Sequence, residues 1–116
     1  MEITVDLQKQ TLVVGLSGEL DHHTAKEVKD LIEKVIKNSN TKNLVFDFSR
    51  LSFMDSSGIG VIIGRYKLIR ALGGNVTIAA PSKNIMKLLT MSGINKLIEI
   101  CESKDIAIKL SQEGIS

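Results

Sequence analysis

Apolar residues occupy every second position of Ile3-Thr4-Val5-Asp6-Leu7, and residues 11–18 form a second β-rich stretch beyond the polar Gln8-Lys9-Gln10. Together they predict an antiparallel hairpin at the start of the fold. The period then changes. Ala25, Val28, Leu31, Ile32, Val35 and Ile36 recur at helical intervals, and Thr24 with Glu27 has the spacing of a capping box, which predicts an amphipathic helix ending near Asn38. Leu44-Val45-Phe46, continuing into Asp47-Phe48, is the short apolar run of a strand covered on both faces. After a loop containing Phe53 and Met54, a second helix is expected over 56–72, stopped by Gly73-Gly74.

Val76-Thr77-Ile78-Ala79-Ala80 reads as the next strand. Pro81-Ser82 then opens a helix with Ile85, Met86, Leu88 and Leu89 on one face, ended by Gly93. A last strand over 97–101 and a last helix over 103–110, with Ser103 as its cap, complete the pattern. Strands alternating with helices after a hairpin predict an α/β fold. Its mixed, mainly parallel sheet would have about five strands, with the hairpin at its N-terminal side, packed with about four helices. With no linker or repeat in 116 residues, one domain over 1–116 is expected.

Composition narrows the class. The chain is 43% hydrophobic and 24% charged, as in an ordinary globular protein, and its core must be built from aliphatic residues because aromatic ones make up only 3%. No run approaches the roughly 20 apolar residues of a membrane span, and Met1-Glu2-Ile3-Thr4-Val5-Asp6 lacks a signal-peptide pattern, so a cytoplasmic protein without a membrane partner is expected. Cys101, the single cysteine, lies in an apolar stretch and reads as a core or half-buried thiol.

The net charge of +2 is unevenly spread, since residues 50–98 carry seven Lys or Arg against Asp55 alone. Only Tyr66, beside Arg65 and Lys67, supplies an aromatic there, so no direct contact with nucleic acid is expected. An acidic protein partner or a solvated face fits that basic stretch better.

The segment Asp55-Ser56-Ser57-Gly58-Ile59-Gly60 follows a buried strand and opens a helix, placing two hydroxyls and a carboxylate at the positive end of a helix dipole. Ser56 or Ser57 can serve there simply as an N-cap, with Gly60 and Gly64 letting the helix approach the sheet. A dinucleotide fingerprint fits poorly, because the third glycine falls at 64 instead of 63 and a six-residue loop is expected before the motif. A hydrolase built from Ser56, His22 or His23, and Asp21 lacks the Gly-x-Ser-x-Gly elbow. His22 and His23 have no third ligand at a recognisable spacing, so no metal site is expected.

Four blocks carry a resemblance: Gly18-Glu19-Leu20-Asp21-His22-His23-Thr24-Ala25, then Leu51-Ser52-Phe53-Met54-Asp55-Ser56-Ser57-Gly58-Ile59-Gly60, then Gly64-Arg65-Tyr66-Lys67, and Met91-Ser92-Gly93. Together they resemble the STAS-domain anti-sigma factor antagonists. The Asp-His-His-Thr and Phe-Met-Asp-Ser-Ser-Gly blocks are most similar to the sporulation branch, which acts on an anti-sigma F factor.

The resemblance implies a regulatory protein and no enzyme. In unmodified form it would bind an anti-sigma F factor that is also a serine kinase, so releasing a sporulation sigma factor. Phosphorylation of Ser56 would end this, and a serine phosphatase would restore it. The choice of Ser56 over Ser57 comes from the resemblance alone. It also implies a partner-binding surface of Asp21, His22, His23, Thr24, Met54, Asp55, Ser57, Gly58 and Ile59. No cofactor is expected on this chain, since ATP and Mg would belong to the kinase. A general-stress antagonist, a STAS scaffold or sensor module and, more remotely, a small hydrolase are the alternatives.

Overall fold

Ile3, Val5 and Leu7 lie opposite Leu16, Val14 and Leu12, so β1 (Glu2–Gln8) and β2 (Thr11–Leu20) form the expected antiparallel hairpin. The computed structural model describes residues 1–113; the last three residues of the expected domain, 114–116, lie outside them. β3 (Asn43–Met54) runs parallel to β2, followed by β4 (Val76–Ala79) and β5 (Glu99–Cys101), and the sheet order is β1-β2-β3-β4-β5. Among the described residues, only the hairpin pair is antiparallel.

β3 is longer than its apolar run predicts. It continues through the stretch expected to be a loop and ends at Met54, paired with Leu20. Register shifts between Gly15 and Ser17 and between Gly18 and Glu19 interrupt the two-residue alternation, which is why the second half of the strand does not stand out in the sequence. Leu51 and Met54 still face the core.

The helices are α1 (Ala25–Lys37), α2 (Ser56–Ala71), α3 (Lys83–Met91) and α4 (Lys104–Gln112). Side chains alternate across a strand, so Leu12, Val14 and Leu16 enter the main core with Val28 and Ile32 of α1, Ile62 and Ile69 of α2, and Ile85 and Leu89 of α3. Val13, Val45, Ala79 and Cys101 face the other way, against Ala107 of α4. Cys101 is buried as expected; burial, with the nearby Glu99 charge, pushes its thiol above the ordinary value.

Two expectations need correction at this level. Met86 is exposed where the pattern put it on the buried face of α3, because Ile85, Leu88 and Leu89 are the residues that meet the core. Leu97 is not a strand residue: a short 3-10 turn, Ile94–Lys96, follows Gly93, and Leu97 stands 54% exposed at its end. The stop of α2 is as expected: it ends at Ala71 with Leu72 as its C-cap, Gly73 takes a positive φ of 83° and the Gly74 amide donates to the Ile69 carbonyl.

Candidate functional site

Leu20 and Met54 end adjacent parallel strands, and the Asp55 amide donates to the Leu20 carbonyl at 3.3 Å. The loop after β2 and the turn after β3 therefore leave the sheet side by side, as loops at the C-terminal ends of adjacent parallel strands do. Each turn is organised by an aspartate.

In the first, Asp21 Oδ1 accepts from the amides of His23 (2.9 Å) and Thr24 (3.2 Å). The Thr24 hydroxyl turns back to the strand end, donating to the Glu19 carbonyl at 2.8 Å and accepting from the Asp21 amide at 3.0 Å. The expected capping box therefore does not form, since the Thr24 hydroxyl is already committed and its backbone is helical, with φ −104° and ψ −14°. Partial desolvation pushes the Asp21 carboxyl up. The His23 and Thr24 amides, the His23 charge and the Thr24 hydroxyl together outweigh it and hold the carboxyl below its ordinary 3.8. His22 and His23 are exposed, their rings edge to face at 4.6 Å. Among the described residues, no group of three His, Cys, Asp or Glu side chains is placed to hold a metal ion.

In the second turn, Asp55 is the N-cap of α2: its backbone is extended and its Oδ1 accepts from the Ser57 amide at 2.8 Å. Ser56 and Ser57 are thus the first two residues of the helix and neither is its cap, which corrects the simplest reading of these hydroxyls. The Ser56 side chain is exposed and makes no hydrogen bond to the described residues, while Ser57 is half-buried.

Gly58 is the glycine on which close packing depends. A Cβ there would lie 3.0 Å from Leu20 Cγ and closer still to Met54 Cγ, whereas at Gly60 or Gly64 it would meet nothing within 4 Å. The assignment of close approach to Gly60 and Gly64 was therefore misplaced. Met54 and Gly58, both expected on the partner surface, are buried and shape it from beneath; Ile59 is half-buried against the main core. Phe53, 48% exposed at the end of β3, is the apolar side chain that the edge presents instead. Extending the strand through Met54 reveals it, because the residue preceding an inward Met54 must face out.

The geometry weighs on the enzymatic readings too. With β3 ending at Met54 and α2 starting at Ser56, the turn is tight, so the long loop no longer counts against a dinucleotide fingerprint; the misplaced third glycine still does. A hydrolase needs a hydroxyl bonded to a base and the base oriented by a carboxylate. Here Ser56 bonds to neither histidine, and Asp21 is engaged by backbone amides and by Thr24.

Comparison with known proteins adds an independent line. The family model described as the STAS domain matches residues 2–107. An anti-sigma F factor antagonist of Paenibacillus polymyxa is 38% identical over 104 residues, covering 90% of this chain and 89% of that protein. Another from Lysinibacillus sphaericus is 34% identical, covering 74% of each. An anti-sigma-B factor antagonist of Listeria monocytogenes is 28% identical, covering 86% of this chain and 90% of its own length.

Among solved structures, the unphosphorylated anti-sigma factor antagonist SpoIIAA superposes with a TM-score of 0.77 at 27% identity, covering 98% of this chain and all (100%) of that one. The phosphorylated form of the Bacillus cell-fate determinant SpoIIAA superposes at 0.75 with 30% identity, covering 93% and 97%.

Proposed function

The chain belongs to the STAS-domain family, and from that premise we propose that it is an anti-sigma factor antagonist switched off by phosphorylation of Ser56. Unmodified, it docks the edge formed by the 21–24 loop and the start of α2 on an anti-sigma factor that is also an ATP-dependent serine kinase. That docking frees a sigma factor. The observation that carries the reading is the division of labour at the start of α2. Asp55 holds the helix, leaving the neighbouring Ser56 hydroxyl exposed and without a hydrogen bond to the described residues. Its exposure also favours Ser56 over the half-buried Ser57 as acceptor.

In the transfer, Ser56 Oγ bonds to the γ-phosphorus of ATP, ADP leaves, and the hydroxyl proton passes to a base on the kinase. The kinase holds the nucleotide and its Mg, and this chain contributes the acceptor alone. Phosphate adds about −1.5 to −2 charges at a helix N-terminus, where the dipole tolerates it, so the fold survives modification. On the same edge stand Asp21 and Asp55, so the modified surface is strongly anionic and is repelled from a nucleotide site already holding phosphates. A serine phosphatase in the same cytoplasmic compartment removes the phosphate and restores binding.

The greater similarity to the F-type antagonists supports the sporulation branch. The B-type relatives match nearly the same stretch and favour a general-stress antagonist as the second reading. The assay is incubation with each kinase and Mg-ATP, followed by peptide mass mapping. We expect one phosphate, on Ser56, with the F-type kinase and none on Ser56→Ala; phosphate on Ser57, or efficient transfer only from the B-type kinase, would overturn the residue or the branch.

A further inference from the structure

β1 is an outer strand of the sheet and, among the described residues, pairs with β2 alone, so one of its two edges is open. Folded proteins blunt such an edge with a proline, a bulge, a lysine or a very short strand. None of these is present in β1. It is seven residues long, Glu2-Ile3-Thr4-Val5-Asp6-Leu7-Gln8, and keeps an unbroken register with β2. Its only charged side chains are Glu2 and Asp6. An edge in this state is a template for another strand.

The open edge coincides with the apolar row of the strand. Gln8 and Thr11 close the hairpin across the two-residue turn Lys9-Gln10, so this pair exchanges both of its backbone hydrogen bonds. Alternation along the ladder then directs the amides and carbonyls of Ile3, Val5 and Leu7 away from β2. Their side chains share the face of Leu16, Val14 and Leu12, which belong to the main core. Ile3 packs against that core, but Val5 and Leu7 stand 44% and 39% exposed. The apolar face thus runs past the core to the rim of the sheet and ends in solvent.

We propose that β1 pairs antiparallel with β1 of a second copy of this chain, joining the two sheets about a two-fold axis at Val5. The strand's own sequence argues for this occupant. Directly opposed side chains lie on one face of an antiparallel pair, and the register centred on Val5 is the one that pairs the whole strand from Glu2 to Gln8. It sets Ile3 against Leu7 of the second copy and Val5 against itself, and it gives the carboxylates of Glu2 and Asp6 the neutral donors Gln8 and Thr4 to face. Centred on Thr4, Glu2 would oppose Asp6; centred on Asp6, that carboxylate would oppose itself, and like charges directly opposite destabilise a pair. Carboxylates remain diagonal neighbours across the seam, so association is weak and is favoured by salt. The open edge runs along the flank of the sheet, whereas the 21–24 loop and the start of α2 leave from its strand ends. The pairing therefore does not rest on the phosphorylation switch.

The test is sedimentation equilibrium of the full-length unmodified protein at moderate salt, from about 10 μM to about 1 mM. A reversible monomer–dimer equilibrium is expected. Val5→Lys, at an exposed position, sets two lysines against each other and should weaken dimerisation by about tenfold or more while the unfolding midpoint stays near that of the parent. Gln8→Lys places a cation opposite Glu2 of the second copy and should tighten the dimer, which keeps the register testable even if the Val5 variant fails to fold. A monomer at every concentration would overturn the pairing and leave the edge to an extended segment of a different protein. A dimer unaffected by Val5→Lys would put the contact elsewhere, and a dimer that Gln8→Lys weakens or leaves unchanged would overturn the register.

Discussion

At Asp55 the carboxylate accepts the Ser57 amide, so Asp55→Ala leaves a helix donor without its cap and should cost about 0.5 to 2 kcal/mol in urea unfolding. Ser56→Ala removes an exposed hydroxyl with no hydrogen bond to the described residues and should change stability by less than about 0.5 kcal/mol. Equal losses for the two variants would mean that Ser56 shares the capping. Asp21 holds the other turn, so Asp21→Ala should lower the unfolding midpoint as well as binding, while Asp21→Asn, which keeps an acceptor oxygen, should lose less.

Because the folded Asp21 carboxyl is held below 3.8, its contribution is complete above that value and disappears as the pH falls through the depressed one. A carboxyl 13C titration of the folded protein should place the Asp21 midpoint below 3.8, and a midpoint above it would contradict the turn. The sequence placed acid and hydroxyl correctly in both turns but assigned the capping to the wrong partners. Asp21 and Thr24 stand three residues apart, as do Thr24 and Glu27, and spacing alone does not say which oxygen the strand end turns inward.

At the scale of an element, α2 is pinned to the sheet by Gly58 and loosened along its open side by Gly60. Gly58→Ala drives a methyl into Met54 and Leu20 and should destabilise by about 1 to 3 kcal/mol. Gly60→Ala enters open space and should stabilise by about 0.5 to 1 kcal/mol. Chemical denaturation of the two variants checks both signs, and the opposite pattern would return the close approach to Gly60. Helix α1 was legible because its apolar residues keep one period, with Val28, Ile32 and Ile36 all buried. The second half of β3 was not, because its bulges break the alternation that marks a strand. With that half hidden, Met54 read as a surface residue and Phe53 as part of a loop.

At the scale of the whole molecule, one sheet carries three helices on its main face and α4 on the other, while the 21–24 loop and the start of α2 share its C-terminal edge. The order of elements and the adjacency of those loops followed from alternation and parallel pairing. The faces did not, because the sequence says that a strand is covered without saying which helix covers it. In this account the edge is a charge switch on an unchanging scaffold. Ser56→Asp, which adds a single charge at the first residue of a helix, should therefore weaken kinase binding and leave the unfolding midpoint near that of the parent. The most direct measurement is a calorimetric titration of the kinase, in the presence of nucleotide, with unmodified and Ser56-phosphorylated protein. Binding should weaken by at least about tenfold, or about 1.4 kcal/mol, on phosphorylation; equal affinity for the two forms would contradict the switch.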